Sequence, residues 1–298
     1  MELRTLRYFQ ALAQEGSITN AARVLQVTPP TLSRQLAALE DELGRQLYTR
    51  SSRGVELTDR GVMLARYADS ILGLAEKATR EIALPEQSVG GTVHVAVGET
   101  RVVGLLARAM VLTRERYPHI DFALSCGNTR DLMDGLVRGA YDFMLECEVK
   151  PHVEFNVLRL PEKDAWGVVV RRDSDLSQRD SVRPCDLVGH PLITSRQGTE
   201  VEPLRSWLSG VADELEVVAT YNLPLSGRFL VEEGLGAMFT YRGIVEGGRA
   251  GGLVFVPLDP PIESTQGLVW RKTTPAKPAQ VFLDCVKELV AEGVPGRR

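Results

Sequence analysis

The chain has 298 residues, 44% of them apolar, and carries 35 Lys and Arg against 39 Asp and Glu for a net charge of −4. That length and apolar share can fill more than one core, so two or three domains are expected. No run of about 18 apolar residues exists to span a membrane as a helix. The four cysteines (Cys126, Cys147, Cys185, Cys285) and four histidines (His94, His119, His152, His190) lie scattered, with neither metal-ligand spacing nor a disulfide framework.

The first segment reads as an amphipathic helix over Leu3, Leu6, Phe9 and Leu12–Ala13 rather than an export signal, which points to a cytoplasmic protein. Ser17 can cap a short second helix with Ala21, Ala22 and Leu25 facing inward. A turn at Gln26–Val27 follows, and Thr28 can cap a third helix opening Pro29–Pro30–Thr31–Leu32–Ser33–Arg34–Gln35. Leu32, Leu36, Leu39 and Leu43 recur at helical spacing and are expected inward, with Gly44 closing the helix. Small Ala21 and Ala22 suit two helices crossing steeply at close approach.

The polar remainder is Ser17, Thr28, Pro29, Pro30, Thr31, Ser33, Arg34 and Gln35, a set fit for base edges in the major groove of double-stranded DNA. Leu47–Arg50 and Val55–Leu57 alternate like hairpin strands, which puts Arg50 and Arg53 on a wing suited to phosphate or minor-groove contact. Residues 1–60 hold eight Arg and no Lys against seven Asp or Glu, so attraction to DNA must come from local placement. Few phosphate contacts per subunit imply binding as a dimer or larger.

Thr58 can cap a long helix with Asp59 in its first turn. Leu64, Ala68, Ile71, Ala75, Ala78 and Ile82 then repeat at intervals of four and three, a heptad seam flanked by charge. The same pattern fits a helix docked on its own domain. Pro85 ends the helix, and Ser88–Gly91 reads as a hinge.

From Thr92 onward, strands alternate with helices. Strands are expected at Val93–Val97, Ile120–Ser125, Asp142–Glu146, Ala165–Arg171, Pro191–Ser195, Leu215–Thr220, Gly236–Thr240, Leu253–Pro257 and Leu268–Arg271. Helices are expected at Val102–Tyr117, Thr129–Arg138, Val201–Leu208, Ser226–Glu233 and Gln280–Glu292. This rhythm implies α/β architecture with a mostly parallel sheet, in two halves joined near residues 160 and 265.

The crevice beyond the carboxyl ends of such strands is the natural ligand site. It selects Thr100, Arg101, Gly127, Asn128, Thr129, Ser195, Arg196, Gln197, Thr199 and Ser226, where hydroxyls meet free helix amides and could hold a carboxylate. Arg101 and Arg196 favour an anion, whereas Glu99, Glu146 and Glu148 favour a cation or polyhydroxyl compound. Cys126 and Cys147 end neighbouring strands, as a thiol sensor or as small buried groups. No Ser-His-Asp arrangement, phosphate loop or dinucleotide fingerprint is present, so no catalytic residue, cofactor or enzyme activity is expected.

The N-terminal sequence resembles the LysR-type transcriptional regulators, through Leu6, Phe9, Gly16–Ser17, Ala21–Ala22, Leu25, Pro30, Ser33, Leu39–Glu40, Leu43–Gly44, Leu47, Arg50, Leu57–Thr58 and Gly61. The resemblance implies a winged helix-turn-helix over residues 1–58, a dimerising linker helix and hinge over 59–88, and a periplasmic-binding-protein-like effector domain over 89–298. Within that domain, one subdomain would span about 89–160 and 266–298 and the other about 161–265. It further implies operator DNA and a small-molecule effector as partners, with RNA polymerase in the case of an activator. Assembly would be a homo-oligomer, as a dimer of dimers (homotetramer), and inducer contact falls most directly to Thr100, Ser195 and Thr199. Pro29 departs from the family, which usually carries glutamine there; it donates no hydrogen bond and offers only packing against a thymine methyl.

Overall fold

A computed structural model describes residues 1–51, 54–83, 89–196, 202–245 and 252–293. The chain divides into two compact units, Met1–Pro85 and Glu86–Arg298.

The first unit begins with α1 (Leu3–Glu15), which Gly16 closes in the left-handed conformation. In α2 (Ile18–Val24) the Ser17 hydroxyl accepts from the Asn20 amide. Thr28 caps α3 (Pro29–Leu43) by accepting from the Thr31 amide, and Gly44 ends it at φ 62°. Strands β1 (Tyr48–Ser51) and β2 (Gly54–Leu57) form an antiparallel hairpin, and α4 (Asp59–Ala83) follows. Leu6, Phe9, Leu12, Ala21, Ala22, Leu32, Leu36 and Leu39 make the core. Leu43, expected inward, is 40% exposed because the last turn of α3 runs past that core. Glu40 ties α3 to the hairpin by accepting from the Leu47 and Tyr48 amides at 2.7 and 3.4 Å. Gly61 permits the close approach of α4, since a Cβ there would lie 1.9 Å from the Leu47 carbonyl oxygen.

The linker helix is not a free seam. Leu64 and Ala68 are buried in the core of their own unit, Ile71 packs against it, and Ala75 is half-buried. Only Ala78 and Ile82 of the expected stripe are exposed, Ile82 at 84%. The uncovered apolar side of α4 carries Met63, Tyr67 and Leu74 instead. The first half of the pattern therefore serves intramolecular packing, because helices α1 to α3 alone are too small to enclose a core and α4 closes it.

The second unit holds one nine-stranded sheet. Its first half has parallel β3 (Gly91–Val97), β4 (Ile120–Cys126) and β5 (Phe143–Cys147), with α5 (Val103–Arg116) and α6 (Thr129–Val137). The 17-residue β6 (Phe155–Arg171) then runs into the second half. There β7 (Leu192–Ser195), β8 (Val217–Tyr221) and β9 (Ala237–Tyr241) are parallel, with α7 (Leu204–Leu208) and α8 (Pro224–Glu232). After β10 (Leu253–Pro257), strand β11 (Glu263–Arg271) returns to the first half, where α9 (Lys277–Ala291) packs. The order is β4-β3-β5-β11-β6-β9-β7-β8, with β10 also on β6.

The sheet is thus mixed: parallel within each half, antiparallel wherever β6 and β11 join them. Phe143, Leu106 and Phe282 centre one core, and Val168, Leu204 and Phe239 the other. Among the described residues no helix is long and apolar enough to cross a membrane, and no cluster of His, Cys, Asp and Glu could hold a metal.

Candidate functional site

Two sites emerge, one in each unit. At the start of α3, Thr28, Pro29, Pro30, Thr31 and Arg34 are exposed, while Ser33 and Gln35 are half-buried. Arg50 of the hairpin reaches back to donate to the Ser33 hydroxyl at 3.3 Å, which brings wing and helix into one polar face. The Thr28 and Thr31 hydroxyls lie 2.8 Å apart, and Thr28 also holds the helix cap. Its oxygen is therefore spent locally, as is that of Ser17 on α2. Arg34 has no carboxylate partner among the described residues and stands free to meet an anion or a base edge. Arg53 lies outside the described residues.

The second site is a cavity of about 130 Å³ between the two halves of the Glu86–Arg298 unit. Strand ends build it, as expected of a ligand crevice in α/β sheets. Gly98 and Glu99 follow β3, Gly127–Thr129 follow β4, and Cys147 ends β5 with Glu148 just after it. Ser195 and Arg196 close it from β7. Of the expected effector residues, Gly127, Asn128, Thr129, Ser195 and Arg196 therefore come together here, while Gln197 and Thr199 lie outside the described residues.

Three others do not line it. Thr100 is buried and donates its hydroxyl to Asp164 while accepting from the Val102 amide at 3.0 Å. Gln266 also donates to Asp164, at 3.1 Å, so Thr100 belongs to a buried polar knot where β6 and β11 cross. Burial raises the Asp164 carboxyl above its ordinary range even though Thr100 pulls it back. Arg101 lies instead over Gly243, and Ser226 is exposed in the first turn of α8. Asn128 rather than Thr129 caps α6, accepting from the Asp131 amide at 2.9 Å, so the cap does not use the Thr129 hydroxyl.

The far wall escaped the sequence reading. It consists of Trp166 on β6, Tyr221 at the end of β8 and Asn222 after it, Pro224 at the start of α8, and Thr240 and Tyr241 on β9. Applying the strand-end rule to β8 and β9 would have found the two tyrosines; nothing local marks Trp166. The Trp166 and Tyr241 rings meet edge to face with centroids 4.4 Å apart. Trp166 donates its indole N–H to the Ser264 hydroxyl at 2.8 Å, and Ser264 donates on to the Tyr241 oxygen at 2.9 Å.

Burial raises the carboxyls of Glu99 and Glu148 above their ordinary range, because the charged form loses water there. Burial likewise raises the Cys147 thiol far above its usual value, and the Cys126 thiol to a lesser degree, with Glu99 adding to the latter. Both cysteines are thus held as thiols, the opposite of what a reactive sensor needs.

Comparisons with known proteins agree with this division. The family described as the LysR substrate binding domain matches residues 86–291. The bacterial regulatory helix-turn-helix protein, lysR family, matches residues 3–62. The chain is 31% identical over 200 residues to the HTH-type transcriptional regulator BsdA of Bacillus subtilis (strain 168), covering 66% of this chain and 67% of that one. It is 29% identical over 187 residues to the "Probable RuBisCO transcriptional regulator" of Cyanophora paradoxa, covering 62% of this chain but only 58% of that protein's length. Among solved structures, full-length CbnR complexed with target DNA matches with a TM-score of 0.74 at 20% identity, over 97% of this chain and 99% of that one. HinK, a LysR family transcriptional regulator from Pseudomonas aeruginosa, matches with a TM-score of 0.54 at 22% identity, over 99% of this chain and 100% of that one.

Proposed function

The chain belongs to the LysR family of transcriptional regulators, and from that premise we propose that residues 1–58 read an operator while residues 89–298 answer to a small molecule held in the cavity. The observation that carries the DNA assignment is the face at the start of α3. There Thr31 and Arg34 are exposed and Arg50 adjoins through Ser33, an arrangement for base edges flanked by phosphate contact. The family that both matches name is one of transcriptional regulators rather than enzymes.

Pairing of subunits would use the uncovered side of α4, with Met63, Tyr67, Leu74, Ala78 and Ile82 recurring near helical period. Two such units would present two recognition helices to two half-sites, and two dimers would complete a tetramer. A cytoplasmic location, and contact with RNA polymerase if the protein activates, belong to the same reading. Effector entry between the halves would change their mutual angle and so the DNA contacts, which is coupling between separate sites.

The test uses the full chain and DNA flanking its own coding region. Wild type gives a discrete footprint, and a metabolite extract alters it. Arg34→Ala loses the footprint while keeping its melting temperature and oligomeric state; specific protection retained at moderate salt would sink the role of α3. Ser195→Trp, which fills the cavity, keeps the footprint but loses the response to the extract.

A further inference from the structure

We infer that the cavity recognises a small ligand through a positively charged nitrogen, a primary ammonium held between Glu148 and Glu99 against the aromatic wall. The inference rests on the reading of the cavity as the effector site and names the charge of its occupant.

Three features carry it. First, Glu148 stands at φ 58°, in the left-handed region that side chains seldom adopt, on the residue directly after β5. Its Oε1 is fully enclosed and has no hydrogen-bond partner among the described residues. A carboxylate with one oxygen buried and unpaired is under-satisfied, and the same side chain lines the cavity, where a cation against it would offset that cost.

Second, the wall opposite brings three aromatic rings, Trp166, Tyr221 and Tyr241, to the cavity beside the polar Asn222 and Thr240. Trp166 donates its indole N–H to Ser264, Tyr241 accepts from the Ser264 hydroxyl, and Tyr221 donates its hydroxyl to the Phe239 carbonyl at 2.8 Å. Carboxylate oxygens combined with π faces are the chemistry that selects an ammonium.

Third, the charges inside do not balance. Glu99 and Glu148 both line the cavity, whereas its one lining cation among the described residues, Arg196, is exposed to water that screens it. An anionic ligand would have to approach two carboxyls. Burial raises both of those acids, and at Glu148 it outweighs the opposing pull of Ser264 and Lys150. The volume of about 130 Å³ accommodates a group on the scale of a single ring.

The full-length protein is titrated calorimetrically, and its melting followed, with primary amines from methylamine to benzylamine. Matched carboxylates from acetate to benzoate and uncharged benzyl alcohol provide the comparison. At least one amine binds and raises the melting temperature, and neither its carboxylate counterpart nor the alcohol does. Glu148→Gln and Glu99→Gln each weaken that amine at least tenfold without lowering the melting temperature of the unliganded protein. Binding of carboxylates in preference to amines overturns the cationic ligand but leaves the cavity as the effector site. Amine binding unchanged in both variants overturns the inference, because the nitrogen then sits elsewhere. If no amine binds while the metabolite extract still acts through a cavity that Ser195→Trp blocks, the charge assignment fails and the site stands.

Discussion

The two units of this chain deploy polar groups in opposite ways. In Met1–Pro85 the core is wholly apolar, and the working side chains stand outside it on one short stretch of sequence. In Glu86–Arg298 the polar groups turn inward, drawn from strand ends far apart in the chain, and carboxyl and thiol groups alike shift under burial. The difference teaches how each site should respond. Charges on a wet surface act over a distance, add in small increments and yield to salt. Enclosed charges act on one partner at contact and resist screening.

Substitutions and solution conditions can break that contrast. The largest effect is expected from Leu36→Ala, which removes a fully buried side chain from the first unit and should cost about 2–5 kcal/mol there. Calorimetric melting would show one transition falling while that of the second unit holds; a matching fall in both would deny their independence. Next comes Leu74→Asp on the exposed side of α4, expected to weaken self-association by roughly 2 kcal/mol or more in sedimentation equilibrium. Unchanged association would move the interface off that helix.

Arg34→Ala should cost about 1–3 kcal/mol in operator affinity at fixed salt. Raising salt from about 50 to 200 mM should weaken the wild-type complex at least roughly tenfold, while cavity binding changes little. Equal salt sensitivity of the two would erase the distinction between surface and enclosed charge. The mildest test is thiol chemistry. With its pKa raised by burial, Cys147 holds less thiolate than a free cysteine at every pH below that value, and its alkylation rises with pH. Iodoacetamide at neutral pH should label exposed Cys126 and Cys185 at least about tenfold faster than Cys147. Faster labelling of Cys147 would revive the redox sensor.

Legibility in the sequence follows the same divide. The elements from α1 to α4 could be read almost residue by residue, because Ser17, Thr28, Gly44 and Thr58 act within three or four positions of themselves. What failed there was longer in range: Leu43 turned outward, and Leu64 and Ala68 were claimed by their own core rather than a partner. In the second unit the parallel strands were legible as apolar runs. The first half of β6 was not, since Pro161, Glu162, Lys163 and Asp164 interrupt the pattern where β11 pairs alongside. The same interruption hid the Asp164 knot that withdraws Thr100 from the cavity. Trp166 was hidden for a similar reason, since it lies within β6, whereas Tyr221 and Tyr241 end β8 and β9, where the strand-end rule reaches them.

Strand β6 also has a consequence for how the second unit comes apart. Its 17 residues reach about 55 Å at roughly 3.3 Å each, and they pair with β11 at one end and with β9 and β10 at the other. Neither half can release that strand without stripping the other of a central partner. The unit should therefore unfold as one cooperative event, with the amides of Val168–Val170 exchanging with heavy water only through global opening. A lesion on one side of the crossing lowers protection on both, so the two halves share a single stability although each has its own core.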